Sequence, residues 1–221
     1  MNVFKRDHFV KRCLMSTIGV LVSGIAVGFF KNSVFGIDPF QSLMAGLDAL
    51  IPINFGTLYM IANAVLLLFS LIFDRHYIGL ATFINLFLLG YVVQFSFELL
   101  QNLFPAPALT LRIAFLVIGF GILCFASSFY ITADLGVSTY DAVALIISNT
   151  WHVWKFKYIR IITDVVCVAS GVGFYLLATK KIDGIQSVVG IATIVTAFFM
   201  GPLVDFFQVK VAEPFLKGEK Q

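Results

Sequence analysis

The chain has 221 residues, of which 60% are hydrophobic and 12% charged, and its formal net charge is +3. A water-soluble domain of that composition would have too few polar side chains to cover its outside, so a lipid-facing exterior is expected. The small basic excess gives no case for nucleic acid as a partner and fits Lys and Arg held in cytoplasmic loops.

Lys5, Arg6, His8, Lys11 and Arg12 precede a first apolar span at about Leu14–Phe30. A long polytopic body follows, so this span reads as a retained helix entering from the cytoplasm rather than a cleaved signal. Next comes a short segment, Asp38–Pro52, with Asp38 as helix N-cap and Pro39 at the first helical position. At about 1.5 Å per residue it covers ~22 Å of a hydrocarbon core ~30 Å thick, which predicts a re-entrant or half-length helix. Spans at Phe55–Phe73 and Ile78–Leu99 complete the first unit, residues 1–100. Pro105 and Pro107 mark residues 101–111 as a linker. The second unit, 112–208, repeats the order: a span at Ile113–Ile131, a short segment at Ser138–Val153, and spans at Tyr158–Ala178 and Ile185–Phe207. Residues 209–221 are read as a cytoplasmic tail, so both termini are expected inside.

The duplication is visible in the residues. Arg12, Ile18, Gly19, Ala26 and Gly36 fall on Arg112, Ile118, Gly119, Ala126 and Gly136 at a shift of 100. Residues 79–95 fall on 190–206 at a shift of 111, with seven of seventeen positions identical. The predicted fold is therefore all-α: a polytopic bundle of two tandem repeats, each of three spans plus one short helix. Internal duplication is common in transporters, where one bundle rocks against the other around a site between them. Three crossings per unit would make the copies inverted and four would make them parallel; segment length favours three.

The same alignment selects candidate site residues. Gln41 falls on Asp141, Asn63 on Asp164 (a shift of 101) and Gln94 on Asp205 (111), so an amide in the first copy meets a carboxylate in the second each time. A carboxylate in a span costs a few kcal/mol unless it faces a wet or paired interior. A cation, a cationic solute or a coupling proton would suit such a site. The structural alternatives are that Asp141 favours its helix dipole, that Asp164 pairs with Arg160 one turn earlier, and that Asp205 is solvated at a span end. Asp38 and Ser138, with Gly36, Gly136 and Pro39, mark the two abrupt helix starts, whose free N–H groups can bind anions. Glu98, Asn85 and Thr196 are further polar residues near the repeated spans, without an assigned place. Ser23, Gly24, Gly28, Ser170, Gly171 and Gly173 are read as packing residues. Cys13, Cys124 and Cys167 are odd in number and set in apolar runs, and the histidines lack a second ligand at helical spacing. No metal or cofactor is expected.

At 133–141, from Ala133 through Asp134, Gly136 and Ser138 to Asp141, and at 201–207, from Gly201 through Pro202 and Asp205 to Phe207, the chain resembles the YczE/YyaS/YitT group of bacterial membrane proteins. The second-copy motif of that group reads Asp-Leu-Gly-Val-Ser-Pro-Trp-Asp; Thr139 and Tyr140 depart from it, and Pro39 keeps the proline in the first copy. The resemblance implies a multi-pass protein of the bacterial cytoplasmic membrane, often suspected of transport, and supplies no established binding residues. The leading expectation is a secondary carrier or exporter of a small polar or amphipathic solute, coupled to protons or sodium. A passive channel and a membrane-embedded binding or scaffold subunit are the alternatives. Membrane lipids, an unidentified small molecule or ion, and a second copy or partner membrane protein are the expected partners. No catalytic motif is present, so an enzyme is not expected.

Overall fold

A computed structural model describes residues 9–36, 38–53, 55–182, 185 and 188–218. Among the described residues there is no strand. The helices are α1 (Phe9–Ser33), α2 (Pro39–Leu50), α3 (Phe55–Phe73), α4 (Leu80–Leu103), α5 (Leu109–Ala133), α6 (Thr139–Leu145), α7 (Phe156–Thr179), α8 (Ile191–Phe207) and α9 (Glu213–Lys217). A 3₁₀ turn, Arg75–Tyr77, joins α3 to α4, and wider π-helical turns continue α6 through Thr150 and α8 through Ala212.

Five helical stretches are long and apolar enough to cross a membrane: Phe9–Ser33, Leu80–Leu103, Leu109–Ala133, Phe156–Thr179 and Ile191–Lys217. Their outer faces carry large apolar side chains such as Ile18, Phe87, Tyr91, Val117 and Phe199. Exposure on that scale is the mark of a membrane protein, whose solvent on those faces is lipid. The sixth expected span, α3, is a shorter apolar helix.

Helix boundaries differ from expectation in three places. The break around the prolines is narrower than 101–111, because α4 runs to Leu103 and α5 begins at Leu109. The last span starts at Ile191 rather than Ile185. Residues 209–217, expected as a tail, are helical and packed: Ala212 and Leu216 are buried with Met15 and Ala133. An apolar face at this spacing has a partner to bury against, and that outweighs the local charge.

Helices α1 and α5 form the centre and run antiparallel. Gly19 lies against Ala126 and Tyr130, while Gly119 lies against Ala26 and Phe30. Each helix ends in carbonyls without intrahelical donors, and each is capped by an arginine from the start of the other. Arg12 donates to the Ala133 carbonyl at 3.0 Å, and Arg112 donates to the Ser33 carbonyl at 2.9 Å and the Val34 carbonyl at 3.2 Å. The chain then leaves both helices the same way, through a left-handed residue, Val34 or Asp134, and a glycine at positive φ, Gly36 (115°) or Gly136 (99°). A side chain at either glycine would be strained by φ and would also strike the chain of Gly190 or Gly79.

Those two crossings bind one half of the chain to the other. The Ala81 amide donates to the Leu135 carbonyl at 3.0 Å and the Ala192 amide to the Phe35 carbonyl at 3.0 Å. Thr82 and Thr193 accept from the Gly79 and Gly190 amides at 3.2 Å each, closing the starts of α4 and α8. The short helices are exchanged as well: α2 packs on α7, and α6 packs on α3. Where α2 and α6 approach each other, Phe40 and Tyr140 stack with centroids 5.2 Å apart and planes at 28°.

The ends of the helices sort into two groups. Arg12, His76, Asp134, Asn149 and Glu213 line one polar cavity, so they share one end of the bundle. Within it His76 Nε2 lies 2.6 Å from Asp134, and Thr150 donates to Asp74 at 2.7 Å. Ser33, Val34 and Arg112 lie at the other end. Helix α3 therefore returns the chain to the end from which α1 starts.

Candidate functional site: a charged cavity between the two halves

Each short helix starts abruptly because a side chain takes one of its free amides. Asp38 accepts from the Gln41 amide at 3.1 Å, and the Ser138 hydroxyl oxygen accepts from the Asp141 amide at 3.0 Å. Helix α2 has twelve residues, or about 18 Å at ~1.5 Å per residue, and stops well short of a full crossing. Both starts face a cavity of about 160 Å³.

The cavity walls come in pairs. Phe30 and Tyr130, Asp38 and Ser138, and Phe40 and Tyr140 stand 100 positions apart, and all six line it. So do Gln41 and Asp141, Tyr59 and Arg160 at a separation of 101, and Asn85 and Thr196 at 111. Apolar surface comes from Val27, Leu89, Leu123 and Met200, and the exposed Lys31 stands at the rim.

The pairs are unequal in charge. On the second-half side Arg160 makes an ion pair with Asp141 and another with Asp164, its Nε lying 3.3 Å from Asp164 Oδ2. The three residues are 6%, 5% and 0% exposed in that order. Buried charges survive when paired and hydrogen-bonded; here every charge is paired, and only Arg160 Nε and Asp164 Oδ2 within the triad face each other without a hydrogen bond. Tyr130 donates to Asp141, Ser138 donates to it at 2.7 Å, and Tyr140 donates to Asp164 at 2.6 Å. The Arg160 guanidinium also lies over the Tyr140 ring, 4.4 Å from its centroid. On the first-half side Phe30, Phe40, Gln41, Tyr59 and Asn63 are all uncharged. Asn63 accepts from Thr139 at 2.7 Å, tying α3 to α6.

Of the residues singled out from the sequence, Asp38, Gln41, Asn63, Ser138 and Asp141 line the cavity, as does Gly36, and Asp164 lies behind it on Arg160. Pro39 begins α2, and Gly136 makes the corresponding break before α6. Gln94 and Asp205 are elsewhere. Gln94 is exposed and donates to Glu98 at 2.9 Å, and Asp205 pairs with Lys157 at 3.7 Å. Arg160, expected only as a neighbour of Asp164, holds both carboxylates. Tyr130, Tyr140 and Tyr59 were not anticipated, although each falls on an aligned partner.

A thin wall divides this cavity from the polar one of about 350 Å³ at the α1 N-terminal end. Tyr130 and Ser138 face the first cavity, while their chain neighbours Ile131 and Val137 face the second. Asp141, accepting from both Tyr130 and Ser138, joins the two sides of that wall. At the matching place in the first half, Phe30 has no hydroxyl to offer Gln41.

The profile of a family of unknown function, DUF6198, matches residues 10–209. The chain belongs to that family. It is also similar to an uncharacterised protein of Haemophilus influenzae, 26% identical over 202 residues that cover 90% of this chain and 84% of the relative. No solved structure matches it. Within DUF6198 the matched region takes in every residue of the charged cavity described above.

Proposed function

We propose that this DUF6198 protein is a secondary carrier of the bacterial cytoplasmic membrane, in which two inverted copies of a three-span unit move a small polar or amphipathic solute through the shared cavity. One observation carries the reading: a cavity with paired walls from both halves, in which the buried cluster of Arg160, Asp141 and Asp164 has neutral counterparts in the first half, while Asp38 of the first half has the neutral counterpart Ser138. Alternating access needs a site between two related bodies, and intramembrane charges of this kind mark solute or ion pathways.

The inverted arrangement is supported by the antiparallel α1 and α5 and by the exchange of arginine caps, glycine crossings and short helices between halves. Equivalent helices that run in opposite directions require an odd number of crossings per unit, here α1, α3 and α4 before α5. With the amino terminus inside, Arg12, His76 and Asp134 are then cytoplasmic and Arg112 is external. The likeness to the YczE/YyaS/YitT group belongs to this reading. A cysteine placed at His76, in a background without Cys13, Cys124 and Cys167, is expected to react with an impermeant thiol reagent only from the cytoplasmic side. Reaction only from outside would refute the inverted copies.

The wall at Tyr130, Ser138 and Asp141 acts in this reading as the gate on the cytoplasmic side, held by two hydrogen bonds into one carboxylate. The first half lacks the equivalent bond, so the two gates open at different free-energy cost. Carrier function has a test that needs no substrate. Val27→Cys, in the same cysteine-free background, places a thiol on the cavity wall. Labelling from each membrane face is expected; labelling from one face alone under every gradient tried would overturn the carrier.

A subunit that serves a partner is the second reading, and the Gln94–Glu98 pair on the exposed face of α4 favours it. Stoichiometric co-purification of a membrane partner, lost in Gln94→Leu, would support it over a stand-alone carrier.

A further inference from the structure

We propose that the cavity binds a small organic monocation and that Asp38 is the carboxylate receiving its ammonium group. This rests on the reading of the cavity as a solute site and names the solute's chemistry.

Charge comes first. Three carboxylates, Asp38, Asp141 and Asp164, are gathered around one guanidinium, that of Arg160. Arg160 is already engaged by Asp141 and Asp164, with the Tyr140 ring against its face. Its remaining amino group points at Met200 Sδ, 3.8 Å away. Asp38 faces the cavity from the other half, and its side chain accepts amides at the start of its own helix, that of Gln41 at 3.1 Å. Among the described residues no Lys, Arg or His lies within ion-pair distance of it; Lys31, at the rim, is exposed to its surroundings. The site therefore gathers three carboxylates against one guanidinium, and Asp38 is the carboxylate among them that makes no ion pair among the described residues.

The opposite assignment, an anionic solute, finds no buried cation beyond the one already paired, since Lys31 stands at the exposed rim. It would have to take the guanidinium fork from Asp141 or Asp164 and leave a carboxylate buried without its partner, which costs several kcal/mol. The free amides at the start of α2 are partly used by the Asp38 cap, and that same carboxylate stands where an anion would dock.

Size and wall chemistry then separate an organic cation from a metal ion. A cavity of about 160 Å³ has the volume of one benzene-sized molecule, as a ~150 Å³ apolar cavity elsewhere does. Much of its wall is Val27, Leu89, Leu123 and Met200, which cannot coordinate sodium but can cover an alkyl chain. Phe40 and Tyr59 add aromatic surface to the same wall, and ring faces stabilise an ammonium that has shed water; Tyr140 is already covered by Arg160 and Phe40. A carboxylate, an aromatic wall and an apolar remainder describe a receptor for a short alkylammonium.

The test uses purified full-length protein in detergent, melted at constant ionic strength with butylammonium chloride, tetramethylammonium chloride, sodium chloride and sodium butyrate. A ligand of the folded state raises the melt as its concentration passes Kd. A saturable rise is expected with butylammonium and not with sodium chloride or butyrate. Asp38→Ser should abolish it, with at least about tenfold weaker binding. Serine is the N-cap at the matching position, Ser138, so the start of α2 survives; Asp38→Asn, which also caps, serves if the serine variant fails to fold. Gln94→Ala, far from the cavity, should keep the rise.

A saturable butyrate response without an amine response would overturn the cation assignment and leave the carrier standing. A sodium response of equal size that depends on Asp38 would make this an inorganic ion site and overturn the organic one. An amine response unchanged in both Asp38 variants would remove Asp38 from the site, and no response to any of the four salts would overturn the proposal. The carrier reading fails separately, through one-sided labelling of Val27→Cys.

Discussion

Arg160→Gln is expected to cost about 3–5 kcal/mol and to leave little folded protein in detergent, because it strands two buried carboxylates at once. Asp141 and Asp164 are 5% and 0% exposed, and among the described residues Arg160 is the cation that pairs with both. The first half shows how the same fold manages without charge. At the positions aligned with Arg160, Asp141 and Asp164 it carries Tyr59, Gln41 and Asn63. The triple variant Arg160→Tyr, Asp141→Gln, Asp164→Asn, which copies that set, should recover most of the lost stability. Well-packed neutral groups often replace a buried ionic cluster at no net cost. Flux should not recover with it, since the charges are retained for function in the carrier proposed here. Fluorescence-detected melting of the single and triple variants checks the first part. An Arg160→Gln protein that melts like the parent would show that the triad is not an integral part of the folded bundle.

Arg160 also shows where the sequence was legible and where it was not. The helices were readable because an apolar run of twenty residues leaves few alternatives in lipid, and the short helices because Asp38, Pro39 and Ser138 are start signals whatever surrounds them. Alignment of the halves located Gln41, Asp141, Asn63 and Asp164 around one place. It also brought in Gln94 and Asp205, which lie elsewhere. The reason is rotational. Asn85 and Thr196 line the cavity, and Gln94 and Asp205 follow each of them by nine residues. Nine residues at 3.6 per turn is two and a half turns, so both side chains leave on the opposite face of their helix. Alignment says which positions correspond and nothing about which way they point. A helical wheel fixed on Thr82, Asn85 and Leu89 would have rejected Gln94. Arg160 entered the sequence reading only as a partner for Asp164 one turn away. Its helical spacing to Asp164 was visible, but its reach across to Asp141 depends on how α6 lies against α7, which no local pattern reports.

Gly171→Ala is expected to be strongly disruptive, while Gly173→Ala, two residues on, should be tolerated. A Cβ at Gly171 would stand 2.3 Å from the Ser42 carbonyl oxygen, and one at Gly46 would stand 2.1 Å from the Gly171 carbonyl oxygen. Both obstacles are backbone, so no side-chain rotation relieves them and α2 must move off α7. A Cβ at Gly173 meets nothing within 4 Å. Overpacking against side chains costs about 1–3 kcal/mol, and against backbone in a two-glycine contact it should cost at least that. The consequence reaches the site, because α2 carries Asp38 at its start and α7 carries Arg160. Moving one helix from the other separates the carboxylate proposed to receive the ammonium from the triad across the cavity. Melting curves of Gly46→Ala, Gly171→Ala and Gly173→Ala, with butylammonium titrated into each, read both effects. The expected order is a lower melt and lost amine response in the first two, with both retained in the third. Gly171→Ala behaving like Gly173→Ala would mean that α2 and α7 do not meet at these glycines, and that the short helix is held against the bundle by something other than this crossing.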